Sequence, residues 1–349
     1  MTGCLLLLNA AMTLSLLQAP AAPESTQRPA VQDPPVKTFR SSVDVVSVSA
    51  VVRDRKGRFV GNLERKDFTV AEAGRPRPIL DFRAQSDGPI KLALLVDISG
   101  SMRVGSKAVD AQQAARHLFS ALRPGDEAAV FTFDTGLDRV TPFTSDVASL
   151  VASLGRVQAP FGQTSLYDAV AQVSRAVAAE GPGGGRMPQR SAVVVLTDGI
   201  DTRSRLTSEQ VATISSSIDI PVYILALLSS IDDPREGGTA QEEIAGPLPT
   251  LARWTGGELF MASAPAHASV AARQIVDELR HQYVIAFEAS KLDGWRSLEI
   301  RARDGGLTVR ARAGYSSGNT AVISEGPGAS LTKMEFQLAQ SYINARRQR

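Results

Sequence analysis

The 349-residue sequence has only one cysteine and three histidines. Cys4 cannot form an internal disulfide, and no cluster of cysteine and histidine ligands is available to bind a metal. His117, His267 and His281 are scattered along the chain, which leaves little for histidine-based catalysis. Lys plus Arg total 38 and Asp plus Glu total 36, so the charge gives no electrostatic reason to expect a nucleic-acid partner.

The first 23 residues carry no charged side chain. Their apolar runs, Leu5–Leu8 and Leu14–Leu17, are too short and too interrupted for a transmembrane helix. A signal peptide over residues 1–21 fits better, with Ala19-Pro20-Ala21 as the cleavage site. It predicts an exported protein, which is periplasmic, secreted or on the cell surface. Because a basic n-region is missing, an uncleaved anchor or a misassigned start is the alternative, and such an uncleaved N-terminus would be the only membrane contact.

The remaining chain changes its pattern twice. Residues 43–52 are valine-rich and alternate apolar with polar residues, which is typical of a strand. From Lys91 strands alternate with helices, which predicts an α/β fold, and strands return after Gln282. The predicted divisions are a linker at 22–37, an N-terminal β segment at 38–88, an α/β domain at 89–270, a C-terminal β segment at 271–316, and a linker with a tail helix at 317–349.

The α/β region is expected to be a doubly wound, Rossmann-like domain with a mostly parallel central sheet. Two continuous apolar runs, Leu92–Val96 and Ala192–Thr197, predict strands that are buried on both faces. The flanking strands are expected to pack together as one small β module, because neither set can bury a face alone. Helices are predicted near residues 106–122, 145–154, 165–180, 207–217, 241–254 and 266–280, the fifth being interrupted by two prolines.

Oxygen-bearing side chains follow the two apolar strands. Asp97, Ser99 and Ser101 leave the first strand, Asp198 closes the second, and Thr164 lies near the start of the helix between them. Open α/β sheets bind ligands at the carboxyl ends of their strands, so these loops are expected to share one edge. Carboxylate and hydroxyl oxygens suit a hard cation, namely Mg²⁺ or alternatively Mn²⁺ or Ca²⁺.

The segments DISGS at 97–101 and TDG at 197–199, together with Thr164, resemble the metal-ion-dependent adhesion site of von Willebrand factor type A domains. The resemblance covers about residues 89–270. It implies that Ser99, Ser101 and Thr164 coordinate the metal directly, while Asp97 and Asp198 act through water. It also implies a protein partner that presents an Asp or Glu carboxylate. The flanks at 52–74 and 282–303 resemble those of bacterial exported proteins that carry this domain.

The predicted function is therefore a non-enzymatic, cation-dependent interaction or adhesion module without a small-molecule substrate. One alternative is an exported scaffold whose metal site is not used for binding, in which Asp97 and Asp198 act as helix caps or turn formers. A hydrolase is disfavoured. Ser99 stands where a phosphatase with an Asp97 nucleophile needs a second acid, and neither Ser99 nor Ser101 has the glycine of a nucleophile elbow two residues before it.

Overall fold

The computed structural model describes residues 45–84, 88–157, 162–180, 190–228, 247–290, 292 and 294–317. Contacts along the chain separate residues 1–42 from 43–349, and every described residue lies in the second unit. The predicted signal peptide, the linker at 22–37 and the tail after 317 lie outside the described residues. In the part of the chain that is described, no helix is long and apolar enough to cross a membrane.

A six-stranded sheet forms the centre of the α/β domain. Its order is β10-β9-β8-β5-β6-β7, and only β7 runs antiparallel to its neighbour. All eight residues of β5 are buried, as the apolar run predicted. The doubly wound, mostly parallel sheet is therefore confirmed. These strands are β5 Ile90–Asp97, β6 Glu127–Phe133, β7 Leu137–Thr144, β8 Arg190–Thr197, β9 Val222–Leu227 and β10 Leu259–Ala262.

Helices cover both faces of this sheet. Buried side chains of α1, α2 and α6 pack on one face, and those of α3, α4 and α5 pack on the other. Of the predicted fifth helix, residues 241–246 lie outside the described residues; the helix that is described begins at Leu248, directly after Pro247, with Pro249 in its first turn. The helices are α1 Lys107–Ser120, α2 Val147–Leu154, α3 Leu166–Ala179, α4 Ser208–Ser217, α5 Leu248–Thr255 and α6 Pro265–Arg280.

The flanking segments combine into two four-stranded antiparallel sheets around a core of their own, as expected. Their orders are β13-β1-β11-β4 and β14-β12-β2-β3. Strand β1 pairs with β11, from Val45 opposite Glu288 to Val51 opposite Gln282. The short strands β3 and β14 were not predicted. The bounds are β1 Val45–Arg53, β2 Phe68–Glu72, β3 Arg75–Arg77, β4 Ile79–Ala84, β11 Gln282–Glu288, β12 Gly294–Ala302, β13 Thr308–Ala311 and β14 Gly314–Ser317.

Ion pairs around one buried glutamate join this β module to the α/β domain. Glu278 near the end of α6 has a fully buried side chain, and it forms ion pairs with Arg53 of β1 (2.5 Å) and with Arg310 of β13. Arg310 also contacts Glu258, at 2.7 Å. The predicted domain boundary at residue 270 falls inside α6, whose buried residues belong to the core of the α/β domain.

Candidate metal centre

Three loops meet at the carboxyl edge of the central sheet. The first follows β5, the second precedes α3 and the third follows β8, which lies beside β5. The backbone N–H of Gly100 donates to the carbonyl of Gly162 at 3.2 Å, which ties the first loop to the second. The third loop is tied to the first through the side chain of Asp97, described next. The edge predicted from the sequence therefore brings these loops together.

Asp97 is buried at the end of β5, where it accepts two hydrogen bonds. Its Oδ1 accepts from the backbone N–H of Ser99 at 2.9 Å, and its Oδ2 accepts from the hydroxyl of Thr197 at 2.6 Å. Burial raises the pKa of Asp97 to about 6, although these hydrogen bonds lower it, and the nearby charge of Asp198 raises it further. Thr197 was not predicted as part of the site, because it ends an apolar strand and reads as a strand residue.

The hydroxyls of Ser99 and Ser101 lie 3.1 Å apart. Two adjacent ligands of an octahedral Mg²⁺ ion, each about 2.1 Å from the metal, would lie about 3 Å from each other. Thr164 is buried as a residue, and within the described part of the chain its hydroxyl makes no hydrogen bond. A pair of hydroxyls at the spacing of adjacent ligands and a third hydroxyl without a partner fit the donor set of a hard cation.

The backbone around Thr164 is held by residues that follow β8. Its carbonyl accepts from the N–H groups of Thr202 and Arg203, both at 2.9 Å, and its own N–H donates to the hydroxyl of Thr202 at 2.9 Å. Asp201 accepts from the N–H of Leu166 at 2.8 Å and so satisfies one of the free donors at the start of α3. Sequence reasoning missed this support, whose only signal is the run of polar residues after TDG.

Asp168 has the predicted first-turn position in α3. Its carboxylate also accepts from the backbone N–H groups of Arg205 and Leu206, at 3.1 and 2.9 Å. It therefore links the start of α3 to the segment after β8. We assign it to the support of the site and not to ligand binding.

Asp198 is buried and contacts a lysine that sequence reasoning missed. The ammonium of Lys107, the first residue of α1, lies 3.1 Å from Oδ2 of Asp198, and the two side chains are only 3% and 1% exposed. The other oxygen, Oδ1, has a long contact of 3.5 Å with the N–H of Ile200. A lysine at the start of an amphipathic helix ordinarily indicates a solvent-exposed position, so the signal was weak.

No group of three or more His, Cys, Asp or Glu side chains arranged to hold a metal occurs among the described residues. The histidines lie elsewhere. His117 is ten residues, about 15 Å, along α1 from Lys107. His281 stacks on Phe59, and His267 lies beside Ser263 after β10, two strands from β8.

A polar cleft of about 740 Å³ opens beside Ser165, the residue that follows Thr164. It runs between the start of α3 and the turn that joins β6 to β7. Arg203 and Arg205 line it with exposed side chains, and Asp168 and Gln172 contribute from α3. Two arginines at the rim favour an acidic occupant over a basic one.

Residues 92–200 match the family model described as the von Willebrand factor type A domain. We found no match among curated proteins. Among solved structures, BatB from Bacteroides thetaiotaomicron is 18% identical, with 54% of this chain and 98% of that chain covered and a TM-score of 0.42. A von Willebrand factor type A protein from Catenulispora acidiphila is 14% identical, with 78% and 73% covered and a TM-score of 0.45.

A third similar structure is proximal thread matrix protein 1 from the mussel byssus, described with a zinc-occupied metal-ion-dependent adhesion site. It is 15% identical, with 55% of this chain and 48% of that chain covered and a TM-score of 0.40. These similarities are too distant to transfer the role of a residue.

Proposed function

Because residues 92–200 form a von Willebrand factor type A domain, we propose that this chain is a non-enzymatic protein-interaction module that binds a divalent cation. The proposed ligand set is Asp97, Ser99, Ser101, Thr164 and Asp198. The observation that supports the proposal is that the three loops that carry these hydroxyls and buried carboxylates lie together at one edge of the sheet. These oxygens suit Mg²⁺ or Mn²⁺.

Each side chain has a separate task in this proposal. Ser99, Ser101 and Thr164 supply neutral oxygen ligands, which leave most of the charge of the cation uncompensated. Asp97 and Asp198 supply the negative charge and orient water. A divalent ion held in this way offers an open coordination position to a carboxylate of a partner protein.

The surroundings of the site support an acidic partner. Arg203 and Arg205 line the cleft beside Ser165 with exposed side chains. Exposed Val104 and Ile200, which follow Ser101 in the first loop and Asp198 in the third, add apolar surface. A partner that places one Asp or Glu on the metal could set a second acidic residue against the arginines. Among the described residues no histidine lies in the site, and both of its carboxylates are assigned to the cation, so no separate base is proposed to activate water for hydrolysis.

The experiment is a titration of the full chain with Mg²⁺ and Mn²⁺ by calorimetry and thermal shift. Wild type is compared with Asp97→Ala and with Asp146→Ala, a matched control that removes a carboxylate from the N-cap of α2. We expect saturable binding of one ion by wild type and by the control, and loss of binding in Asp97→Ala. No binding by the wild type would overturn the proposal.

The buried pair of Lys107 and Asp198 favours a second candidate function. A carboxylate that already holds an internal cation could belong to a scaffold whose metal site is not used. In that case a partner protein, once it has been identified, would bind equally well with and without a chelator. Export to the cell surface or periplasm is proposed on the sequence of residues 1–21 alone.

A further inference from the structure

Lys107 places a positive charge inside the candidate metal centre. Its ammonium lies 3.1 Å from Oδ2 of Asp198, and both side chains are almost completely buried. Lysine is among the residues that are least often buried, because its charge loses the solvation of water. The pair is therefore a buried ion pair and not a chance contact between surface side chains. Lys107 takes part in it from the first turn of α1.

The ammonium and a divalent ion would interact with the same carboxylate. Asp97 and Asp198 carry two negative charges in their ionised forms, and Lys107 compensates one of them. A divalent ion that enters beside the ammonium meets a like charge at short range, where the low dielectric of a buried site makes repulsion strong. The hydroxyls of Ser99, Ser101 and Thr164 are neutral and do not offset this repulsion.

We propose that Lys107 is a tethered cation that competes with the divalent ion for Asp198 and thereby lowers the metal affinity of the site. This inference rests on the proposed function, since it concerns the same ligands. In the metal-free protein Lys107 compensates the charge of Asp198 and so stabilises the ionised form of this buried carboxylate. In the metal-bound protein the site carries an extra positive charge, which attracts the carboxylate of a partner.

The arrangement couples the two binding events. An incoming carboxylate compensates the positive charge that Lys107 and the metal create together, so it raises the affinity for the metal. By linkage the metal raises the affinity for the carboxylate by the same factor. The site would then be filled mainly when cation and partner are present together.

The experiment compares the metal affinity of four forms of the full chain: wild type, Lys107→Met, Lys107→Gln and Lys91→Met. Lys91 is the matched control, because it is a second buried lysine of the same domain, at the opposite end of β5. Its ammonium donates to the carbonyl of Glu180 at 2.6 Å and lies away from the metal ligands. Each form is freed of metal with a chelator, checked for folding by circular dichroism, and titrated with Mn²⁺ and Mg²⁺ by calorimetry.

We expect Lys107→Met to bind the metal at least tenfold more tightly than the wild type, and Lys91→Met to bind within about threefold of it. Lys107→Gln keeps a hydrogen-bond donor for Asp198 without the charge, so it should also bind more tightly. It serves as the test if the methionine variant does not fold. Unchanged or weaker binding by the folded Lys107 variants overturns the inference and leaves the proposed function standing.

Two other outcomes separate the inference from the proposed function. If the wild type binds no metal but a Lys107 variant does, the inference holds and cation-dependent function of the wild type fails. If no form binds metal, both fail.

Discussion

Two buried ion pairs lie at opposite edges of the same sheet, and they differ in how completely their carboxylates are hydrogen-bonded. At the amino edge Asp126 pairs with Arg280 at 2.6 Å. At the carboxyl edge Asp198 pairs with Lys107 at 3.1 Å. All four side chains are at least 95% buried, so burial does not distinguish the two pairs.

The hydrogen bonds do distinguish them. Asp126 also accepts from the backbone N–H groups of Ile90 (3.0 Å) and Arg123 (2.6 Å), so both of its oxygens are well bonded. Among the described residues the carboxylate of Asp198 contacts only the ammonium of Lys107 and, at 3.5 Å, the N–H of Ile200. We therefore infer that the ion pair at the amino edge stabilises the fold. At the carboxyl edge, the oxygens of Asp198 can still accept a further ligand.

Among the variants that test this difference between the two ion pairs, Arg280→Met is expected to change the free energy of unfolding most. The substitution leaves Asp126 buried without its charge partner, which should reduce the free energy of unfolding by about 3–5 kcal/mol. Urea denaturation of the full chain measures it, with exposed Arg273→Met on the same helix as the control. The Kd for Mn²⁺ should not change in protein that remains folded. A decrease in the free energy of unfolding of less than about 1 kcal/mol would contradict a stabilising role for the pair of Asp126 and Arg280.

Asp97→Asn should have an effect of the opposite sign. Burial raises the pKa of Asp97 to about 6, against about 3.9 in an unfolded chain, so ionisation of this carboxyl opposes folding above that range. In chelator at pH 8 the asparagine variant should be more stable than the wild type, by roughly 1–3 kcal/mol. The difference should disappear below about pH 4, where the wild-type carboxyl is protonated in both the folded and the unfolded state.

Denaturation at pH 8 and pH 4 checks this prediction, and the low-pH comparison is its internal control. A variant that is less stable than the wild type at pH 8 would show that the hydrogen bonds to Asp97 outweigh its burial. The same variant should not bind Mn²⁺ measurably. Stability gained at the expense of ligand binding is expected of a functional site.

The smallest effect on stability is expected from Thr164→Val. The hydroxyl of Thr164 has no hydrogen-bond partner among the described residues, so its loss should change the free energy of unfolding by less than about 1 kcal/mol. Binding of Mn²⁺ should nevertheless weaken at least tenfold. Thr197→Val is the control with the reverse profile, because it removes the hydrogen bond to buried Asp97 and should cost about 1–3 kcal/mol. Equal losses of stability in both variants would contradict the absence of a partner for the Thr164 hydroxyl, and unchanged Mn²⁺ binding by Thr164→Val would contradict its assignment as a ligand.

The location of the site at the carboxyl edge was predictable from the sequence, because the direction of parallel strands determines where the residues that follow them lie. Two apolar runs that end in Asp97 and Asp198 predict adjacent parallel strands, and the carboxyl ends of such strands meet at one edge. Thr164 could be placed near them because it precedes a helix by two residues. The pairing of the two flanks was also predictable, since each was too small to form a core alone.

Lys107 and Thr197 were not predictable because their roles depend on contacts between distant parts of the chain. The ammonium of Lys107 reaches a carboxylate 91 positions away, and the hydroxyl of Thr197 reaches one 100 positions away. Periodicity describes which face of an element a residue occupies, but not which atom lies opposite. The edge strand β3 was missed for a related reason, because Pro76 within it reads as a turn residue.

The pairing of β1 with β11 also has a consequence for the order of folding. Val45 at one end of the described chain pairs with Glu288 near the other, and β4 is hydrogen-bonded to the same strand β11. During synthesis at about 5–20 residues per second, the intervening α/β domain takes roughly 10 to 40 seconds to emerge. Through this interval the valine-rich first strand has no partner strand and exposes an edge that can aggregate. Strands β1 and β4 therefore cannot pair in their native sheet until β11 has been synthesised.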